Sequence, residues 1–112
     1  MDTTRQNKIS RLIQKELSEF FRKEGSIFAK GILFTVTVVR ISPDMGVAKV
    51  FLSIFPSNDK EEILIEIRKR SKQIRFELAK ITRSQLRSVP ELIFYIDDSL
   101  DYAEKIDKLL DK

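Results

Sequence analysis

Eight cationic side chains, Arg68, Lys69, Arg70, Lys72, Arg75, Lys80, Arg83 and Arg87, stand between positions 68 and 87, with Glu77 as the only carboxylate among them. That segment is net +7 in a chain whose total is +4, so the remaining residues are together net −3. Lysine and arginine at this density neutralise phosphate, and charge concentrated on one element is the footprint of a protein that binds a polyanion.

The rest of the composition narrows the chemistry further. The 112 residues contain neither cysteine nor histidine, which removes disulfides, the usual zinc ligands, the thiol nucleophile and the commonest general base. Only carboxylate or lysine catalysis would remain, so a non-enzymatic protein with no cofactor and no metal is expected. No signal-peptide core and no run of about 20 apolar residues is present, and a cytoplasmic location without a membrane contact follows as the expectation. A chain of this length suits one domain with one modest core.

The elements that must position the cations can be read from periodicity. Apolar residues at Ile9, Leu12, Ile13, Leu17, Phe20 and Phe21 predict a helix over residues 5–23, with Thr3 or Thr4 as cap and Gly25 as terminator. Residues 33–41 and 47–55 are β-branched and aromatic, and Ser42-Pro43-Asp44-Met45-Gly46 between them predicts a hairpin. Ser57 or Asp59 can start the next helix, which spans residues 60–87 with an apolar stripe of Ile63, Leu64, Ile67, Ile74, Leu78 and Ile81. Ser71 interrupts that stripe, a place for a kink or a helix-to-helix junction, though the sequence alone demands neither. Val89-Pro90 ends the helix. Residues 92–96 (LIFYI) read as a third strand, buried on both sides or nearly so. Asp97, Asp98 and Ser99 then offer caps for a last helix carrying Leu100, Ala103, Ile106, Leu109 and Leu110. The order α-β-β-α-(kink)-α-β plus a C-terminal helix defines an α+β fold, a three-stranded sheet with helices on one face.

On a continuous helix at about 100° per residue, Lys69, Lys72, Phe76, Lys80, Arg83 and Arg87 share one face, with Arg68, Arg70 and Arg75 on its flanks and the apolar stripe behind. A solvated face is the plain alternative, but such faces usually mix both signs, and this one is nearly free of acids. Phe76 among the cations could stack on an unpaired base, or pack on a loop of its own domain. Arg5, Lys8, Arg11 and Lys15 on the first helix are a second candidate contact or a solvated face. Asp97-Asp98 with Asp101 and Glu104 could hold magnesium, though helix capping explains these acids more simply.

Several motifs occur together in order: Leu12-Ile13-Gln14-Lys15-Glu16-Leu17, Ser42-Pro43-Asp44-Met45-Gly46-Val47-Ala48-Lys49-Val50, Ile74-Arg75 with Leu78, and Arg87-Ser88-Val89-Pro90-Glu91-Leu92-Ile93-Phe94-Tyr95-Ile96-Asp97-Asp98-Ser99-Leu100. On these the chain resembles the ribosome-binding factor A family of bacterial small-subunit assembly factors over nearly its whole length. The resemblance implies a type II KH-like, mixed sheet whose first strand lies between the other two. It also implies binding, as a monomer when free, to the immature 30S ribosomal subunit and its 16S rRNA, maturation of the rRNA 5′ end, and support of growth in the cold. The chain departs from the family's Ala-x-Gly helix junction, which falls here on Arg70, Ser71 and Lys72. Phe28-Ala29-Lys30 likewise stands where members often carry Asp-Pro-Arg. A protein-interaction module whose basic face meets an acidic protein is the competing reading.

Overall fold

The computed structural model describes residues 4–55 and 59–97. Its elements are α1 (Thr4–Glu24), one 3-10 turn (Gly25–Ile27), β1 (Leu33–Ile41), β2 (Val47–Phe55), α2 (Lys60–Lys69), α3 (Ser71–Ile81) and β3 (Glu91–Ile96). The expected C-terminal helix, with Asp98, Asp101 and Glu104, and the capping candidates Thr3 and Ser57 lie outside the described residues. Asp59 does occupy the N-cap of α2, without a side-chain capping bond.

The sheet order is β1-β2-β3, with β1 antiparallel to β2 and β2 parallel to β3. The mixed sheet is as expected, but its middle strand is β2, not β1. β2 carries Ala48, Val50, Leu52 and Ile54, all buried. The hairpin fixes β1 on one edge of β2, and the α2–α3 crossover returns the chain as β3 along the other. Cross-strand rows Val36/Leu52/Ile96, Val39/Val50/Phe94 and Ile41/Ala48/Leu92 then share one face, as the two-residue period of strands requires.

All three helices pack on that face. From α1 come Ile13, Leu17 and Phe21, from α2 Ile63, Leu64 and Ile67, and from α3 Ile74 and Leu78, joining one buried cluster. Burial of a side chain such as Ile13, Leu17 or Phe94, each shielded from solvent, contributes about 1.5–3 kcal/mol. Phe21 sits at the centre of an aromatic group, with Phe34, Phe28 and Phe94 centroids at 5.5, 5.9 and 6.2 Å. Gly25 follows directly. It does not end α1 by a left-handed turn, since Gly31 is the described glycine with positive φ, at 74°. Its place is set by proximity: a Cβ there would lie 2.8 Å from the Phe34 ring.

Other expectations are revised by the packing. β3 alternates in burial, with Leu92 and Phe94 covered and Ile93 and Tyr95 half-covered, because helices back only one side of the sheet. Ile81 is 52% exposed and belongs to no buried stripe. The hairpin turn is built as read: Ser42 N–H donates to Val47 O (2.9 Å) and Met45 N–H to Ser42 O (2.8 Å). Asp44 Oδ1 accepts from Ser42 Oγ at 2.6 Å and from Gly46 N–H at 3.0 Å. Met45 takes φ 61°, a left-handed conformation that tight turns require.

Candidate nucleic-acid interface

The element expected over 60–87, with its interruption at Ser71, is two helices, α2 and α3. Helical geometry stops at Arg70 (φ −104°, ψ 12°), whose N–H donates to Ile67 O at 3.0 Å while its own carbonyl accepts from Ile74 N–H at 2.9 Å. The break therefore falls at the Arg70, Ser71, Lys72 junction, where the apolar stripe is interrupted.

α3 then ends at Ile81, well short of Arg87. Thr82 is its C-cap, at φ −96° and ψ 10°. Its side chain is buried, its Oγ1 donates back to Leu78 O at 2.9 Å, and its carbonyl accepts from Gln85 and Leu86 N–H at 2.9 and 2.8 Å. Arg83 and Arg87 thus stand on a returning loop rather than on a helical stripe. The loop nonetheless brings them beside α3, where Phe76, Ala79, Lys80, Arg83, Leu86, Arg87, Ser88 and Val89 line one cleft of about 470 Å³. Three cations and no carboxylate line it.

Phe76 is 61% exposed, so it faces solvent rather than a loop. Lys80 Nζ lies 4.6 Å from its ring centroid and 3.6 Å from Glu77 Oε1, a geometry that combines a cation–π contact with an exposed ion pair. Lys72 is exposed on the same side of α3. Lys69, at the end of α2, pairs with Glu66 at 3.2 Å.

Two arginines of the cationic run have structural duties. Arg68 donates from Nε and Nη2 to Phe94 O at 3.1 and 2.9 Å, with its guanidinium 5.9 Å from the Tyr95 ring. Arg75 Nε donates to Val89 O at 2.9 Å, holding the loop that carries Arg87 against α3. Arg70 lies over the Phe28 ring at 5.7 Å. Arg5, Lys8, Arg11 and Lys15 are all exposed on α1, but none of them lines the cleft. Sequence reasoning missed the end of α3 at Thr82.

Among the described residues no group of three or more carboxylates is placed to hold a metal ion. Asp97 instead accepts a hydrogen bond from Thr37 Oγ1. No helix of the described residues is long and apolar enough to cross a membrane.

A three-stranded mixed sheet with three helices on one face, broken at Arg70, defines the class as a one-sided α+β sandwich. The chain belongs to the ribosome-binding factor A family, whose model matches residues 5–110. Ribosome-binding factor A of Cytophaga hutchinsonii is 45% identical over 112 residues, covering 100% of this chain and 84% of that protein. The Flavobacterium psychrophilum protein of the same name is 46% identical over 113 residues, covering 98% of this chain and 85% of its own. The crystal structure of ribosome-binding factor A from Thermus thermophilus is similar at a TM-score of 0.65 and 23% identity, over 81% of this chain and 94% of that one. Coordinates of the Thermus thermophilus factor fitted into a cryo-EM map of its 30S complex are similar at a TM-score of 0.50 and 22% identity, over 73% and 96%.

Proposed function

We propose that this protein binds the immature 30S ribosomal subunit through its 16S rRNA and assists maturation of the rRNA 5′ end, without catalysing a reaction itself. Membership of the family supports the reading, and one observation carries it: the cleft in which Phe76, Lys80, Arg83 and Arg87 meet with no carboxylate among the lining residues. Clustered cations supply phosphate affinity without sequence preference, and an exposed aromatic ring adds a stacking surface for an unpaired base. Lys69 and Lys72 extend the surface toward the helix junction. Arg5, Lys8, Arg11 and Lys15 offer a separate, second contact. In this reading Arg68 and Arg75 serve RNA indirectly, by fixing β3 and the 82–90 loop. The same proposal describes a single KH-like domain, monomeric when free, that works in the cytoplasm and matters most for growth in the cold.

The test is cosedimentation of purified protein with immature small subunits. Charge reversal at Lys72, Lys80 and Arg83 together should abolish it and leave the thermal melt in place, since all three side chains are exposed. Unchanged cosedimentation, or capture of a partner that survives ribonuclease treatment, would sink the proposal.

A further inference from the structure

The Phe76 cleft has two kinds of wall, and each suits a different part of a ligand. Ala79, Leu86 and Val89 give it an apolar side. Ala79 and Leu86 pack against the hydrophobic core, and Val89 belongs to it. Lys80, Arg83 and Arg87 are exposed around that side, and Phe76 is the one aromatic ring among the lining residues. Glu77 does not line the cleft, but it pairs with Lys80 at 3.6 Å. Three cations less that one carboxylate still leave net +2.

The apolar side is preformed. Arg75 Nε donates to Val89 O at 2.9 Å and Leu86 N–H to Thr82 O at 2.8 Å, so the loop is tied to α3 before a ligand arrives. The volume of about 470 Å³ lies toward the lower end of the roughly 300–1,000 Å³ found for small-molecule sites. It suits a single nucleotide and not a double helix, in which neighbouring bases already cover each base face.

We infer that this cleft takes up one unpaired nucleotide, its base against the Phe76 ring and the apolar side, its phosphates against Arg83 and Arg87. The inference rests on the RNA-binding reading above and adds a selection to it. The cations attract paired and unpaired RNA alike, whereas the ring favours only a base whose face is open. Lys80 Nζ lies 4.6 Å from the ring centroid on an exposed side chain, and it turns from the ring to a phosphate as the base stacks. Ser88 supplies the one uncharged polar side chain of the lining. Selection is therefore for strandedness and hardly for sequence, since every base has a face to stack.

The probe is a fluorescein-labelled, unstructured RNA strand of about 20 nucleotides, alone or annealed to its complement, titrated into the full chain by anisotropy at about physiological salt. The two forms differ in charge density, so the readout is the ratio of their affinities and its change on mutation. Phe76→Ala should lower the single-strand to duplex ratio about tenfold, and Phe76→Trp should preserve it. Ile81→Ser, outside this cleft, should leave the ratio unchanged, and Arg83→Gln should weaken both forms. Phe76 is exposed, so its variants should keep the wild-type melt. Three outcomes would overturn the inference: a ratio unchanged in Phe76→Ala; a ratio that falls as far in Ile81→Ser; or no binding of the single strand by the wild type. Cosedimentation with small subunits judges the RNA reading separately, and wild-type cosedimentation beside any of these outcomes would leave that reading standing.

Discussion

The Thr37 hydroxyl donates to a carboxylate oxygen of Asp97, and so ties β1 to the residue that leaves β3 across the whole width of β2. Thr37 can reach because the β1–β2 register shifts between Val36 and Val38, and a bulge re-aims the side chain of the extra residue. The same hydroxyl lies 3.3 Å from Phe51 O. Replacing Thr37 by valine keeps the shape and removes the donor from a half-buried acceptor. It should cost about 1–2 kcal/mol, read as a melting point lower by about 4–8 °C per kcal/mol. Val38→Thr, on the open face of the sheet, is the control and should change the melt little.

Gly25→Ala should destabilise by about 1–3 kcal/mol. The added methyl would meet Phe34 Cδ2 at 2.8 Å, and that ring is held by Phe21 and Phe28. Phe34→Leu should relieve the overlap, so the double variant is expected to lose less than the sum of the two single losses. Additive losses in a double-mutant cycle would refute the contact.

The two kinds of cation should separate by measurement. Lys80→Gln is expected to lower the salt dependence of RNA binding by about one phosphate contact, a slope change of about 0.7–0.9 in log–log form, without a change in melting. Arg75→Gln should do the reverse at first order. Its loss frees Val89 O and the 82–90 loop, so stability falls by about 1–2 kcal/mol and RNA binding weakens only through Arg87.

Asp44 gives the hairpin an acid dependence. Its carboxyl titrates below the usual carboxylate range, first because Ser42 Oγ donates to it and then because Gly46 N–H does. A depressed folded-state value means that the stabilisation is complete above the unfolded-state pKa and is lost as pH falls through the folded-state one. Urea midpoints taken from about pH 5 downward should therefore fall more steeply in the wild type than in Asp44→Asn. Parallel curves would show that Asp44 titrates alike in the folded and unfolded chain.

Local order was readable wherever one period dominated. Ile13, Leu17 and Phe21 announced α1, and the turn residues 42–46 announced the hairpin, because the partners in each case are close in sequence. Strand order was not readable in this way. The resemblance put β1 in the middle, whereas β2 pairs along both of its edges, and pairing between strands is a tertiary relationship. The cationic run was legible as charge but not as geometry. A wheel drawn through Thr82 treats it as one more helical position, yet α3 ends there, and the cleft exists because the chain turns. Nor could sequence separate Arg68 and Arg75 from their neighbours, since their acceptors, Phe94 O and Val89 O, are backbone atoms 26 and 14 residues away.

The Arg68 fork on Phe94 O has a consequence for how these molecules behave in a crowd. That carbonyl points away from β2, on the margin where another chain could add a strand, and the guanidinium occupies the acceptor such a strand would need. Gln14 does the same on the opposite margin, donating to Val36 O and Thr37 O at 3.1 and 3.3 Å, as does Gln6 for Ile41 O at 3.2 Å. A three-stranded sheet with two open borders is thereby fenced by its own helices against strand addition from a neighbouring molecule.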